Sequence, residues 1–163
     1  VIDAVLEARE RGVSNADVRE ILSAASSKKE FSRDPERIIT ALDGTAGLVN
    51  TGIEGSKATK LMKEALSRGF NKDEMRDLTV ELAHAMGSLE QRERDKVFYS
   101  TLEMVREGDK IQMIRESIRA RAAIPEGTLG VGKGLGPAER GKEGIAPAEL
   151  EREHEIPKPA PRK

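Results

Sequence analysis

The sequence predicts an all-α protein: six or seven short helices within residues 1–124, two of them pairs in a repeated helical hairpin, then an extended Gly/Pro-rich arm over 125–163. Three observations predict it. Apolar residues recur three and four positions apart from Ile2 to Ala122, the spacing of one helical face, and no stretch alternates with period two for long enough to argue a strand. Helix start and stop signals fall at the ends of those apolar runs. Composition then breaks near Ile124: residues 125–163 hold six of the seven prolines and seven of the fifteen glycines, which denies them a core of their own.

Each element has its own residues. Ile2, Val5 and Leu6 mark the first helix, and Val18, Ile21, Leu22 and Ala25 the second. Ile38, Ile39 and Leu42 mark a third, begun by Asp34-Pro35 as an N-cap with proline in the first helical position. Gly44, Gly47, Gly52 and Gly55 weaken the stretch from Asp43 to Ser56, so this helix is expected to end between Asp43 and Val49 and a loop to follow. Ala58, Leu61, Met62, Ala65 and Leu66 mark a fourth helix, and Met75, Leu78, Leu82 and Met86 a fifth. Phe98, Leu102 and Val105 mark a sixth, for which Ser88 and Gln91 offer a capping box, and Ile111, Ile114, Ile118 and Ala122 a seventh.

Residues 4–25 align with 61–82 without a gap at an offset of 57, with Glu7/Glu64, Ala8/Ala65, Arg11/Arg68, Gly12/Gly69 and Arg19/Arg76 identical. The pattern reads as helix, tight turn, helix. Gly12 and Gly69 suit the left-handed residue that ends a helix, and Arg11 and Arg68 place positive charge at the negative end of the dipole. Ser14 with Asp17, and Asn71 with Glu74, then form start signals. Glu107-Gly108-Asp109, with Gln112, reads as a third, degenerate copy, which makes the third helix a spacer in either a helical-repeat stack or an irregular bundle. Glu7, Arg19 and their counterparts read as solvated helix charge.

Ala8, Gly12, Val13, Val18 and Ile21 fall at the spacing of a helix-turn-helix, which the first hairpin resembles. The resemblance implies nucleic-acid binding through the second helix. Glu7 and Arg11, however, stand where that pattern takes apolar or small residues, and Asn15-Ala16-Asp17 and Lys72-Asp73-Glu74 bring carboxylates toward the phosphates. An ordinary hairpin with the same turn chemistry is the preferred reading.

The 28 Lys+Arg and 29 Asp+Glu leave a net charge of −1, which gives no single-sign field for nucleic acid or an anionic membrane. Aromatic residues are only 2 % of the chain, too few for stacking platforms, and there is no cysteine for a disulfide, a thiolate metal site or a thiol nucleophile. Gly127 to Gly134 approaches a phosphate-binding loop, but Gly134 stands where a magnesium-ligating hydroxyl is required and Pro137 interrupts the helix that should follow. His84, placed on an outer helical face, and His154 have no second histidine at ligand spacing, and the run Glu90 to Lys96 reads as a mostly solvated helix start. No enzyme activity, cofactor, metal or small-molecule substrate is therefore expected, and no apolar run is long enough to span a membrane.

What remains is a non-catalytic interaction or structural subunit whose partner is another protein or a second copy; a helix-turn-helix nucleic-acid binder is the alternative. In the arm, Leu129, Val131, Leu135, Ile145, Leu150 and Ile156 are spaced as anchors for that partner. A chain that opens at Val1 without methionine implies a removed leader or a trimmed start. Together with the absence of cysteine, that points to a bacterial extracytoplasmic setting.

Overall fold

The computed structural model describes residues 1–27 and 33–123, which lie in one compact unit from Val1 to Ala123. Residues 28–32 and 124–163 fall outside the described residues, and with them the arm and its anchors Leu129, Val131, Leu135, Ile145, Leu150 and Ile156. The described chain is all-helical, without a strand. Its seven helices are α1 (Ile2–Glu10), α2 (Asn15–Ser27), α3 (Pro35–Asn50), α4 (Gly55–Ser67), α5 (Lys72–Gly87), α6 (Gln91–Glu107) and α7 (Ile111–Ala122).

Every substantial contact joins a helix to the one next along the chain or the one after that. The odd helices α1, α3, α5 and α7 therefore pack in series as one layer, and the even helices α2, α4 and α6 as a second. One continuous core lies between them. Its largest fully buried side chains include Ile21, Ile38, Leu42, Leu61, Met75, Leu82, Phe98 and Ile114, drawn from all helices but α1. Each such leucine or isoleucine contributes about 1.5–3 kcal/mol by leaving water. α1 contributes Ala4 and Ala8, small residues that let it lie close to its neighbours.

Four of the inter-helix turns share one geometry. Gly12, Gly52, Gly69 and Gly108 all have positive φ. In each turn the next residue donates its N–H back across the turn, Val13 to Ala8, Ile53 to Leu48, Phe70 to Ala65 and Asp109 to Met104, at 3.0–3.2 Å. This is the double closure that satisfies the last carbonyls of a helix through a left-handed residue. Gly12 and Gly69 behave as the sequence predicts. Gly108 instead matches Gly52, 56 residues earlier, and so closes a copy of the α3–α4 turn rather than a third copy of the α1–α2 turn.

The repeat therefore spans three helices, and α3 is part of it rather than a spacer. Pro35 and Gln91 begin α3 and α6 at the same offset of 56. Thr45 and Thr101 are both buried and donate to the carbonyls four residues back, Ala41 and Val97. Pro35 follows the start of α2 at Asn15 by one residue more than Gln91 follows the start of α5 at Lys72, which shifts the offset from 57 to 56 and hides the third helix from a gapless alignment.

Other boundaries also differ from expectation. Asp34 is the residue before α3 and Pro35 its first, but the Asp34 side chain makes no capping hydrogen bond. Ser88 does not cap α6: its hydroxyl donates to the Ala85 carbonyl at the end of α5, and α6 begins two residues later after Glu90. Lys110, not Asp109, precedes α7. Asn71 and Glu74 do form the full reciprocal box, and Ser14 Oγ accepts the Asp17 N–H while donating to its carboxylate.

α3 ends one residue past the expected window of Asp43 to Val49, and a loop follows as expected. It runs through Gly44 and Gly47 to Asn50. The cost of two helical glycines, about 1 kcal/mol each, is offset because α3 is buried along Leu42, Thr45, Ala46 and Leu48. Gly44 is required by contact: a Cβ there would lie 2.7 Å from Thr79 Oγ1 of α5 and 2.9 Å from Met62 Sδ of α4. Gly44→Ala is expected to lower stability by about 1–3 kcal/mol through overpacking. Gly87→Ala, where added carbon meets nothing within 4 Å, should be neutral or slightly stabilising. Urea unfolding of the two variants checks the pair, and equal effects would remove the close-approach explanation.

Candidate interaction surface

The two layers give the stack two sides, and charge organises both. Among the described residues, the ion pairs between different helices all join helices two apart, that is, neighbours within one layer. In the odd layer Arg11, the residue that closes α1, lies 3.7 Å from Asp43 of α3, Glu36 of α3 lies 2.9 Å from Lys72 of α5, and Arg115 of α7 lies 3.1 Å from Asp77 of α5. In the even layer Glu20 of α2 pairs with Lys63 of α4, and Lys57 and Glu64 of α4 pair with Asp95 and Arg106 of α6. Glu7 and Glu64 are thus more than solvated charge. Each holds the arginine four residues on, and each belongs to a cluster that reaches the third helix of its unit.

The densest cluster joins α5 to α7. Glu81, whose side chain is only 12 % exposed, receives Arg119 Nε at 2.7 Å and Nη2 at 2.8 Å, and Arg115 Nε at 3.2 Å. The hydrogen bonds from Arg119 hold the Glu81 carboxyl below its ordinary value, against the opposing effect of burial. The sequence carried the signal in two matched spacings, Asp77/Glu81 on one helix and Arg115/Arg119 on another, each four residues apart. Asp43 shifts the other way. Desolvation raises its pKa, with Glu7 adding to that and Arg11 and Arg76 opposing it.

Two exposed apolar side chains mark the sides. On the even layer Tyr99 is 52 % exposed, edge-on to Phe98, with the Lys57 ammonium 5.4 Å from its ring centroid. The hydrogen bond to Asp95 raises the Lys57 pKa and keeps that cation in place beside the ring. Behind it a recess is lined by Ile53, Met86, Gln91, Arg94 and Phe98; the run Glu90 to Lys96 is a mostly solvated helix start, as its sequence predicts, with Glu93, Arg94 and Asp95 half-buried. On the odd layer Val80 is 63 % exposed beside a shallow groove formed by Thr40, Asp43, Gly44 and Arg76. His84 lies exposed on α5, on the outer face that its spacing from Met75 predicts.

The pH dependence of the Glu81 cluster has a definite sign. A carboxyl whose folded pKa lies below its unfolded one stabilises the fold above the unfolded value, and that contribution is lost as pH falls through the folded value. Asp43, being raised, works against the fold as pH climbs from 3.8 through its higher folded value. Glu81→Gln is expected to cost about 1–3 kcal/mol at pH 7. It should also flatten the loss of stability expected below the ordinary glutamate value of 4.5. Urea midpoints from pH 7 down to pH 3 measure both effects; an unchanged slope would mean that Glu81 is not the group responsible.

No family model matches this chain, and no curated protein or solved structure matches it either.

Proposed function

We propose that this chain is a non-catalytic interaction or structural subunit that binds another protein along its helical stack and through residues 125–163. The serial packing carries the reading: helices that contact only near neighbours spread a small core into an extended double-sided surface, the form helical repeats use for binding. Tyr99 and Val80 supply exposed apolar contact, one on each side, within ordered charge. Tyrosine beside a held cation is the type of residue on which protein interfaces concentrate their energy. The balanced charge, and the carboxylates of Asp73 and Glu74 in the first turn of α5, favour protein over nucleic acid. Among the described residues no helix is long and apolar enough to cross a membrane.

The immobilised full chain should retain a defined protein from native extract. Removing the residues after Ile124 should weaken that binding, and Tyr99→Ala should weaken it by about 2 kcal/mol, roughly 30-fold. Tyr99 is exposed, so its loss leaves the core intact. Full affinity in both variants would refute the reading. Retention of duplex DNA, weakening steeply with salt, would favour the helix-turn-helix alternative.

A further inference from the structure

The three-helix repeat says what each exposed apolar residue on the terminal helices faces. Leu6 of α1, 51 % exposed, stands at the position of Lys63 in α4, and Lys63 reaches back two helices to Glu20 of α2. Ile2, 76 % exposed, stands at the position of Thr59, which is 1 % exposed in α4. Leu6 therefore occupies a position from which the second unit reaches a preceding helix, and Ile2 one that the second unit buries. Met113 of α7, 54 % exposed, stands at the position of Lys57, which reaches forward two helices to Asp95 of α6. One end of the stack thus offers an apolar pair looking backward, and the other offers a methionine looking forward.

We propose that copies of this chain stack end to end, the α1–α2 end of one seated on the α6–α7 end of the next. Met113 then meets α2 of the neighbour and Leu6 meets α6, which continues the two-helix reach of the contacts inside one copy. Charge complements the geometry. On α1 Glu7 is already paired with Arg11, and on α7 Arg115 and Arg119 are already held by Asp77 and Glu81 of α5, which leaves Asp3 and Glu10 on one end and Arg121 on the other. Asp3, Glu10 and Arg121 have no ion-pair partner among the described residues, so they are free to meet across the junction. A symmetric α1–α1 dimer is disfavoured by the same charges. Asp3 and Glu10 lie seven residues apart on one flank, and an antiparallel two-fold pairing would set one against the other. An end-to-end contact leaves a free end on each new copy, so assembly proceeds past the dimer.

Sedimentation velocity on the full chain over a concentration series tests this, with Leu6→Glu blocking one end and Met113→Glu the other. Both side chains are exposed, and circular dichroism verifies that each variant keeps its helices. The wild-type chain should form species larger than a dimer, and each variant alone should sediment as a monomer. Their equimolar mixture has one matched pair of ends left and should double in mass and stop there. A wild-type chain that stays monomeric, a variant that still self-associates, or a mixture that fails to dimerise would each overturn the proposal. It goes beyond the scaffold reading: a strictly monomeric chain that still captures a foreign protein would leave that reading standing and sink this one.

Discussion

Gly44 lets α3 touch two helices with one position, Met62 of α4 across the layers and Thr79 of α5 within its own. Thr79 donates to the Met75 carbonyl and turns its hydroxyl toward the Met62 sulfur at 4.0 Å, so a single crowded point fixes three helices at once. Arg37, at the start of the same helix, donates to the carbonyls of Leu66 and Phe70 and so holds the far end of α4. With α3 pinned to α4 at both places, α2 has a surface to lie on and α5 has its spacing set. The layers on either side follow from that alignment.

A unit of three helices repeated in a stack of two layers has a geometric consequence. An odd number of helices per unit puts equivalent helices in opposite layers: α1 lies in the odd layer, and its counterpart α4 in the even one. The same Glu-x-x-x-Arg pair therefore serves both sides of the molecule, as Glu7 with Arg11 on one and Glu64 with Arg68 on the other. The two sides are related by the sequence repeat yet differ in what they carry, with Tyr99 and Lys57 on one and Val80 and Arg76 on the other.

The helical class and the main core faces of α2 to α7 were legible because apolar spacing and turn glycines report local backbone geometry; the face of α1 was not, since Ile2 and Leu6 lie exposed and the helix buries Ala4 and Ala8 instead. Gly12 and Gly69 belong to the legible group. What was hidden depends on distant residues. The glycines in α3 read as helix breakers because nothing in their neighbours announces Met62 and Thr79 lying against them. Ser88 and Gln91 had capping spacing, yet Ser88 serves the helix before it because α5 runs through Gly87. The Glu81 cluster was readable in principle from two matched spacings, but pairing them requires knowing that α5 and α7 are layer neighbours. Lys57 beside Tyr99 had no local signal at all.

Substantial contacts that reach no further than the second helix along keep native pairings close in sequence, which lowers the contact order of this fold. Such a chain orders quickly from whichever segment nucleates first, and its cooperativity is carried from helix to helix rather than through one central knot. Protection against opening is then graded along the molecule. α3 and α4, enclosed by neighbours before and after them, are expected to open last, and α1, which buries only Ala4 and Ala8 in full with Val1 and Val5 at its margin, is expected to open first. A helix that opens that readily can exchange its intramolecular neighbours for those of another chain without unfolding the rest.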